Sequence, residues 1–409
     1  MRTRLFFPAL GLAAVVYAQA PKTPLTQAEA EASVAAVLPD IQSIRGLEFK
    51  AKVPVTVIDD GKAREYALAR FRRMTPEAKI RSDETAFRLL GLVPADLDVL
   101  KTLLDVLEEQ AGGYYDPATK SFYLLDDMPK EATGLLAAHE MTHALEDQRY
   151  DLDLRLAKLI DNDDASFALS AVIEGSATAA AAVYVANGIA TGKLDQADLG
   201  AMGETVTMDR LNALPSVMKR QLLGPYALGL NFLGRGDVER LQSGFPQRDV
   251  DAVWAHLPRS SEQILHPEKY WDPGLRDEPK RVAIPNAASR LGKGWKLAGS
   301  GVLGELTLGS LVGAPTPEAA DLASGRGLWT NAAASGWGGD RFELWTNGDD
   351  AVVLVATVWD TAKDAAEFAA ALPRGRAEFS FKLAGSKVGI VAGSASDRRD
   401  ALLTMLVKP

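Results

Sequence analysis

The chain has 409 residues, four histidines, no cysteine, 47% hydrophobic and 24% charged residues, and a formal net charge of −9 at pH 7. That balance excludes a wholly disordered or fibrous chain and argues against a nucleic-acid binder, which carries a basic excess. Without thiols there is no disulfide, iron–sulfur cluster, thiolate zinc site, thiol nucleophile or cysteine-linked lipid anchor, so any metal must be held by His, Asp or Glu.

Residues 1–20 begin with Arg2 and Arg4, run apolar from Leu5 to Ala18 and end in Ala18-Gln19-Ala20. This is the pattern of a signal peptide with a small-x-small cleavage site, which predicts an exported protein, periplasmic or extracellular. The alternative is a retained N-terminal anchor, for which the apolar run is short. The spacing then predicts a helix over 26–45, a strand over 52–57, and helices over 60–73 and 94–110. Two aromatic runs around Asp116-Pro117 predict a hairpin within 112–125. Helices follow over 130–150, 163–187 and about 203–222, with shorter helical pieces over 224–275, one of them at 226–233.

Residues 165–190 carry a single charge, Glu174. The stretch is long enough to cross a membrane, but it is rich in Ala, Ser, Thr and Gly. A mid-span Glu would also cost several kcal/mol there. It reads as a buried core helix, so no integral membrane segment is expected once the signal is removed. Its buried carboxylate must be neutral, paired or bound to a metal. After about residue 280 the pattern changes to glycine-punctuated strands at 342–346 and 351–358 around Asn347-Gly348, a helix at 362–372, strands at 377–382 and 388–392, and a helix at 396–406. This predicts a small ββαββα domain. Trp337-Gly338-Gly339-Asp340 reads as a tight turn.

His139-Glu140-Met141-Thr142-His143 is an HExxH motif. On a helix, positions i and i+4 share a face, so both imidazoles reach one cation, and Glu140 is placed to take a proton from water. Only roughly 0.003 chance matches are expected in a chain of this composition, so the motif is not accidental. Zinc accepts two His with a third ligand and keeps a fourth position open. A third His spaced as in metzincins is absent, since Glu146 and Arg149 stand at those positions. The other common solution is a Glu on a later helix, and Glu174 has that place. Gly175 beside it would allow the active-site helix to approach closely. Asp147 either orients a ligand imidazole or is a helix-surface charge, and Gln148 could act likewise.

The run His139–Gln148 (HEMTHALEDQ) followed by Ile173–Thr178 (IEGSAT) resembles the HExTHALxDQ and EGxAT pair of gluzincin-type zinc metallopeptidases, closest to a largely uncharacterised bacterial exported group. The segments GYYDP at 113–117, SEQILHPEKY at 261–270 and GWGGD…WDT…EF at 336–368 are similar to blocks of the same group. The resemblance implies His139, His143 and Glu174 as zinc ligands and Glu140 as general base. It also implies a mainly helical zincin-like domain with a small edge sheet, an α+β fold overall. The expected division is 1–20 signal peptide, 21–280 metallopeptidase domain and 281–409 C-terminal domain. His266 is either the donor to a tetrahedral oxyanion or a structural loop histidine; His256 is expected to be packed and structural.

The function this predicts is hydrolysis of a peptide or protein substrate by zinc-activated water. The alternatives are a non-catalytic extracytoplasmic binding or assembly protein with a structural zinc site, and a zinc hydrolase acting on another amide such as cell-wall peptide. No nucleic-acid partner is expected, and nothing in the sequence names a partner protein.

Overall fold

The computed structural model describes residues 24–74, 76–110, 112–195, 209–316, 329–394 and 397–408. The expected signal peptide lies outside the described residues. Helix α1 (Gln27–Arg45) is followed by β1 (Val55–Ile58), α2 (Asp60–Met74), α3 (Glu77–Leu90), α4 (Val99–Gln110) and the hairpin β2 (Gly113–Asp116) and β3 (Ser121–Leu125). Next come α5 (Lys130–Tyr150), α6 (Leu152–Ala157), α7 (Asp163–Ala190), α8 (Asp209–Ala213) and α9 (Ser216–Leu233). Short helices α10 (Gln247–Ala255), α11 (Ser261–Leu265), α12 (Glu268–Trp271) and α13 (Ala287–Leu291) lead into the last part. That part runs β4 (Lys296–Gly301), α14 (Gly304–Leu311), β5 (Trp337–Asn347), β6 (Asp350–Trp359), α15 (Ala362–Ala371), β7 (Phe379–Ala384), β8 (Lys387–Gly393) and α16 (Arg399–Leu406). The fold is mixed α+β, with its larger sheet at the C-terminal end.

Local chemistry explains the boundaries. Thr26 and Glu29 form a reciprocal capping box at the start of α1. Pro54 cannot donate a backbone hydrogen bond, so β1 begins only after it, three residues later than expected. The helix expected from residue 94 starts at Val99, because Pro94 sits in a turn and Asp98 caps the helix by accepting from Lys101 N at 2.8 Å. Helix α3 was not expected; its charged residues dilute the apolar signal of Ile80, Ala86 and Leu90, which are buried. The helix expected over 203–222 is two helices broken at Pro215, and its first residues lie outside the described ones.

The first sheet has the order β1-β3-β2, with β1 parallel and β2 antiparallel to β3, leaving β2 at an edge. The second sheet is antiparallel throughout, in the order β4-β5-β6-β8-β7. The expected ββαββα unit is therefore extended by β4 and α14, which precede it. Trp337–Asp340 is not a tight turn: it is the bulged start of β5, paired with β6.

Helix α7 is long and apolar enough to cross a membrane, yet 72% of its apolar window is buried inside the fold. One continuous apolar core joins α7 and α9 residues such as Val172, Ile173 and Phe232 to Val353, Val355, Trp359 and Phe368 of the C-terminal part. The expected boundary at residue 280 is thus not a gap in the core. A second core packs α1, the hairpin and α5, and a third covers the other face of the large sheet with α13 and α16.

Candidate metal centre

Helix α5 is buried along most of its length, with Ala137, Ala138, Met141 and Ala144 fully enclosed. Small residues on this helix let α1 and α7 lie close, which leaves His139 and His143 facing Glu174 of α7. Their Nε2 atoms are 3.0 Å apart. Glu174 Oε2 is 3.2 Å from His139 Nε2 and 3.4 Å from His143 Nε2. Atoms bound tetrahedrally at about 2.0–2.1 Å from one zinc ion are separated by about 3.3–3.4 Å, so the donor set fits that ion. His143 Nδ1 is buried without a hydrogen-bond partner among the described residues. The side chains of His139, His143 and Glu174 are 6%, 11% and 22% exposed, so the triangle opens to solvent on the Glu174 side.

Electrostatics agree with the geometry. Burial opposes charge on His143, but the facing Glu174 carboxylate outweighs it and pushes the imidazole up to about 9. Burial would raise Glu174, yet the two imidazoles hold its carboxyl well below the usual range. A site that concentrates negative potential on two imidazole nitrogens attracts a cation.

Glu140 is buried beside the histidines, one oxygen of its carboxylate lying within 4.8 Å of a nitrogen of each. Its Oε2 accepts a 2.7 Å hydrogen bond from Tyr115 N on the outer edge of β2. The same Tyr115 donates its hydroxyl to Asp147 Oδ2 at 2.7 Å, so one residue fixes the hairpin to α5 at two points. Asp147 also accepts from Lys120 Nζ at 2.8 Å and Leu152 N at 3.0 Å. It therefore anchors the hairpin and does not orient an imidazole. Gln148 likewise bonds the backbone of Lys50 and Ala51.

Two packing devices hold α7 in place. A Cβ on Gly175 would stand 2.5 Å from the carbonyl carbon of Gly229, and one on Gly229 would run into the carbonyl oxygen of Ala171. The helix that approaches Gly175 is therefore α9, not α5 as the sequence suggested. The second device is a buried clamp. Arg45 and Glu146 are paired at 2.7 Å with both side chains 0% exposed. Ser176 donates to Glu146 Oε1 at 2.6 Å, and Arg45 also meets Asp251 at 2.8 Å. The Ser of the EGxAT run thus belongs to the clamp, one turn of α5 beyond the histidines.

His266 pairs with Glu305 at 2.9 Å and lies 3.8 Å from Glu268. Burial lowers its basicity, but Glu305 outweighs it and raises it. Among the described residues, none of its hydrogen bonds or ion pairs reaches His139, Glu140, His143 or Glu174. His256 is exposed rather than packed. Tyr226 of α9 is the aromatic that sequence reasoning missed: its ring stacks on His139 at 6.0 Å and 24°. Its only signal was the Gly224-Pro225-Tyr226 run inside a helical pattern.

A second carboxylate group, Glu262, Asp277 and Asp360, has ligand-like spacing. Its centre is filled by Lys269 Nζ at 2.6, 3.0 and 3.1 Å, an ammonium standing where a cation would. The SEQILHPEKY and GWGGD blocks are structural in the same sense. Ser261 N donates to Asp164, and Asp340 accepts from Leu303 N and Gly304 N at the start of α14.

The model of a domain of unknown function (DUF8575) matches residues 292–399. That covers β4 to the start of α16 and leaves the His139, Glu140, His143 and Glu174 group outside it. No curated protein and no solved structure matches the chain.

Proposed function

We propose that this protein is an exported, zinc-dependent metallopeptidase of the gluzincin type, with His139, His143 and Glu174 as ligands and Glu140 as general base. The observation that carries this reading is the convergence of His139 Nε2, His143 Nε2 and Glu174 Oε2 within 3.0–3.4 Å of one another, beside Glu140. Zinc bound there would supply a Lewis acid and activate water at neutral pH. Glu140 takes the proton of the attacking water at its carboxylate and returns it to the leaving amine. The hydrogen bond from Tyr115 N keeps that carboxylate turned toward the cluster. His266 is engaged by Glu305, whereas the ring of Tyr226 stacks on His139, so we assign the oxyanion contact to Tyr226 in place of His266. The C-terminal sheet shares the core of the helical part and restrains α7 through α14 and α11.

A purely structural zinc site encloses its ion in four protein ligands. Here three donors converge, a base stands beside them, and Glu174 reaches solvent; these features favour catalysis. The test is metal analysis of the purified protein with an unbiased peptide-library digest of wild type and Glu140→Gln. The variant should retain one zinc and lose cleavage by about 10²–10⁴-fold. Undiminished turnover in that variant overturns the mechanism, and a zinc-loaded wild type that cleaves nothing favours the binding or assembly reading.

A further inference from the structure

Where the N-terminal end of α7 meets the C-terminal sheet lies a cavity of about 710 Å³ that opens to solvent. Its volume is that of sites enclosing drug-sized ligands, and such sites favour junctions between structural units. Leu159, Leu169, Leu257, Ile284, Val302 and Trp337 supply apolar walls. The wall carries the acids Asp161, Asp164, Asp340 and Glu343 and the bases Arg259, Lys280, Arg281 and Arg341. Asp164 and Asp340 are 3% and 2% exposed, whereas Arg259 and Arg281 are exposed at the mouth.

Most of these groups are committed elsewhere. Asp340 uses both oxygens on Leu303 N, Gly304 N and Trp337 Nε1. Lys280 is paired with Asp360, and Arg341 donates to Ser300 and to the carbonyl of Asp161. Asp164 differs. Its Oδ1 accepts from Ser261 N at 2.9 Å and the Ser261 hydroxyl also bonds the carboxylate, but no cation pairs with it among the described residues. A buried carboxyl without a cation either keeps its proton or takes its counter-charge from a ligand. At the mouth, Arg281 forms no ion pair among the described residues, and Arg259 has only Glu278 at 3.5 Å with its own side chain 67% exposed.

We propose that this cavity binds a short apolar peptide with free termini, its ammonium group on Asp164 and its carboxylate at Arg259 and Arg281. The apolar walls take the side chains between the two ends. Burial pushes the Asp164 carboxyl up to about 7, with Asp340 and Glu305 adding to it, as expected of a group whose counter-charge arrives with the ligand. The site is separate from the metal centre: Asp164 precedes Glu174 by ten residues, about 15 Å along α7. The proposal therefore stands whether or not the metal centre hydrolyses peptides.

The experiment is isothermal titration of trileucine into the Glu140→Gln protein, which keeps the probe intact if the protein is a peptidase. N-acetyl-trileucine and trileucine amide are titrated in parallel. Each blocked end should weaken binding by about tenfold, the usual cost of losing one buried charged contact. Asp164→Asn should abolish the difference between free and acetylated peptide. Arg259→Ser should abolish most of the difference between acid and amide. Arg259 is exposed, so that variant folds, and the comparison holds even if Asp164→Asn does not. Equal binding of free and blocked peptides overturns the proposal, as does end discrimination that survives both substitutions. So does the absence of any binding at millimolar trileucine.

Discussion

Replacing Gly175 with alanine tests whether the α7–α9 crossing sets the metal centre. The added Cβ would lie 2.5 Å from the carbonyl carbon of Gly229 and 2.8 Å from its Cα and oxygen. Ordinary carbon contacts are about 3.5–4.0 Å, so the two helices must separate by about 1 Å. The clashing atoms are backbone on both sides, which leaves no side chain to rotate away. Overpacking of this kind costs about 1–3 kcal/mol, and the upper end applies here. Alanine returns up to about 1 kcal/mol through its helix propensity, leaving a net loss of about 2 kcal/mol. Because Glu174 is the adjacent residue, the same displacement moves an oxygen of the proposed ligand set, and zinc affinity should fall by about 10–100-fold. Equilibrium urea denaturation measures the first quantity and competition with a chromophoric chelator the second. Gly61→Ala is the control, since its Cβ would meet only the Asp59 side chain at 3.2 Å; it should be neutral or mildly stabilising. A Gly175→Ala protein with wild-type stability and zinc affinity would refute the reasoning.

Three further outcomes follow from the same structure. Arg45→Met leaves Glu146 buried without its cation and should cost about 3–5 kcal/mol in urea denaturation, while Arg45→Met with Glu146→Leu should recover most of that; a double variant as unstable as the single one contradicts the clamp. Asp164 has its pKa raised from 3.8 to about 7, so the native state keeps a proton that the unfolded chain releases. Stability is therefore lost as pH rises from about 4 to about 7. Asp164→Asn should accordingly stabilise the protein at pH 8 by a few kcal/mol, with the gain gone near pH 4; an equal effect at both pH values contradicts it. Tyr115→Phe removes the hydroxyl donor to Asp147 and should cost about 1 kcal/mol. It should lower peptide cleavage with zinc content unchanged, and unaltered cleavage would detach the hairpin from the positioning of Glu140.

The parts of the site that were legible in the sequence are those whose meaning is local. HExxH places two imidazoles on one face through helix geometry alone, and a single Glu in an Ala-rich helix can be noticed without knowing its neighbours. The capping box at Thr26 and Glu29 and the turn at Asn347-Gly348 are equally local. What escaped depends on partners distant in the chain. Gly175 could be seen as a close approach, but not to which helix, because Gly229 is 54 residues away. Gly338 and Gly339 resembled a turn, yet they sit in a strand. A Cβ on Gly339 would run into the carbonyl of Lys280, and Lys280 N donates to Gly338 O at 2.7 Å. Helix α3 was missed because its apolar face is narrow and its partners lie in the C-terminal sheet. Asp147 could not be told from a ligand-orienting carboxylate, since Tyr115 and Lys120 reach it only once the hairpin has folded back on α5.

Helix geometry also explains why the candidate metal centre and the buried clamp occur together. His139, His143 and Glu146 stand at i, i+4 and i+7 of α5, so all three lie on one stripe, and that stripe faces α7. Glu174 meets the first two and Ser176 meets the third. Without the clamp, an interface carrying two imidazoles and a carboxylate would depend on the ion for its cohesion. Arg45 supplies a permanent cation to the same stripe and ties α1 to it. The helices are then held by protein groups alone with the three donors within 3.0–3.4 Å of one another, an arrangement that the proposed ion would find already organised. Under the proposed reading, binding energy that a structural site would spend on folding would be available for polarising what enters the open side, next to Glu174.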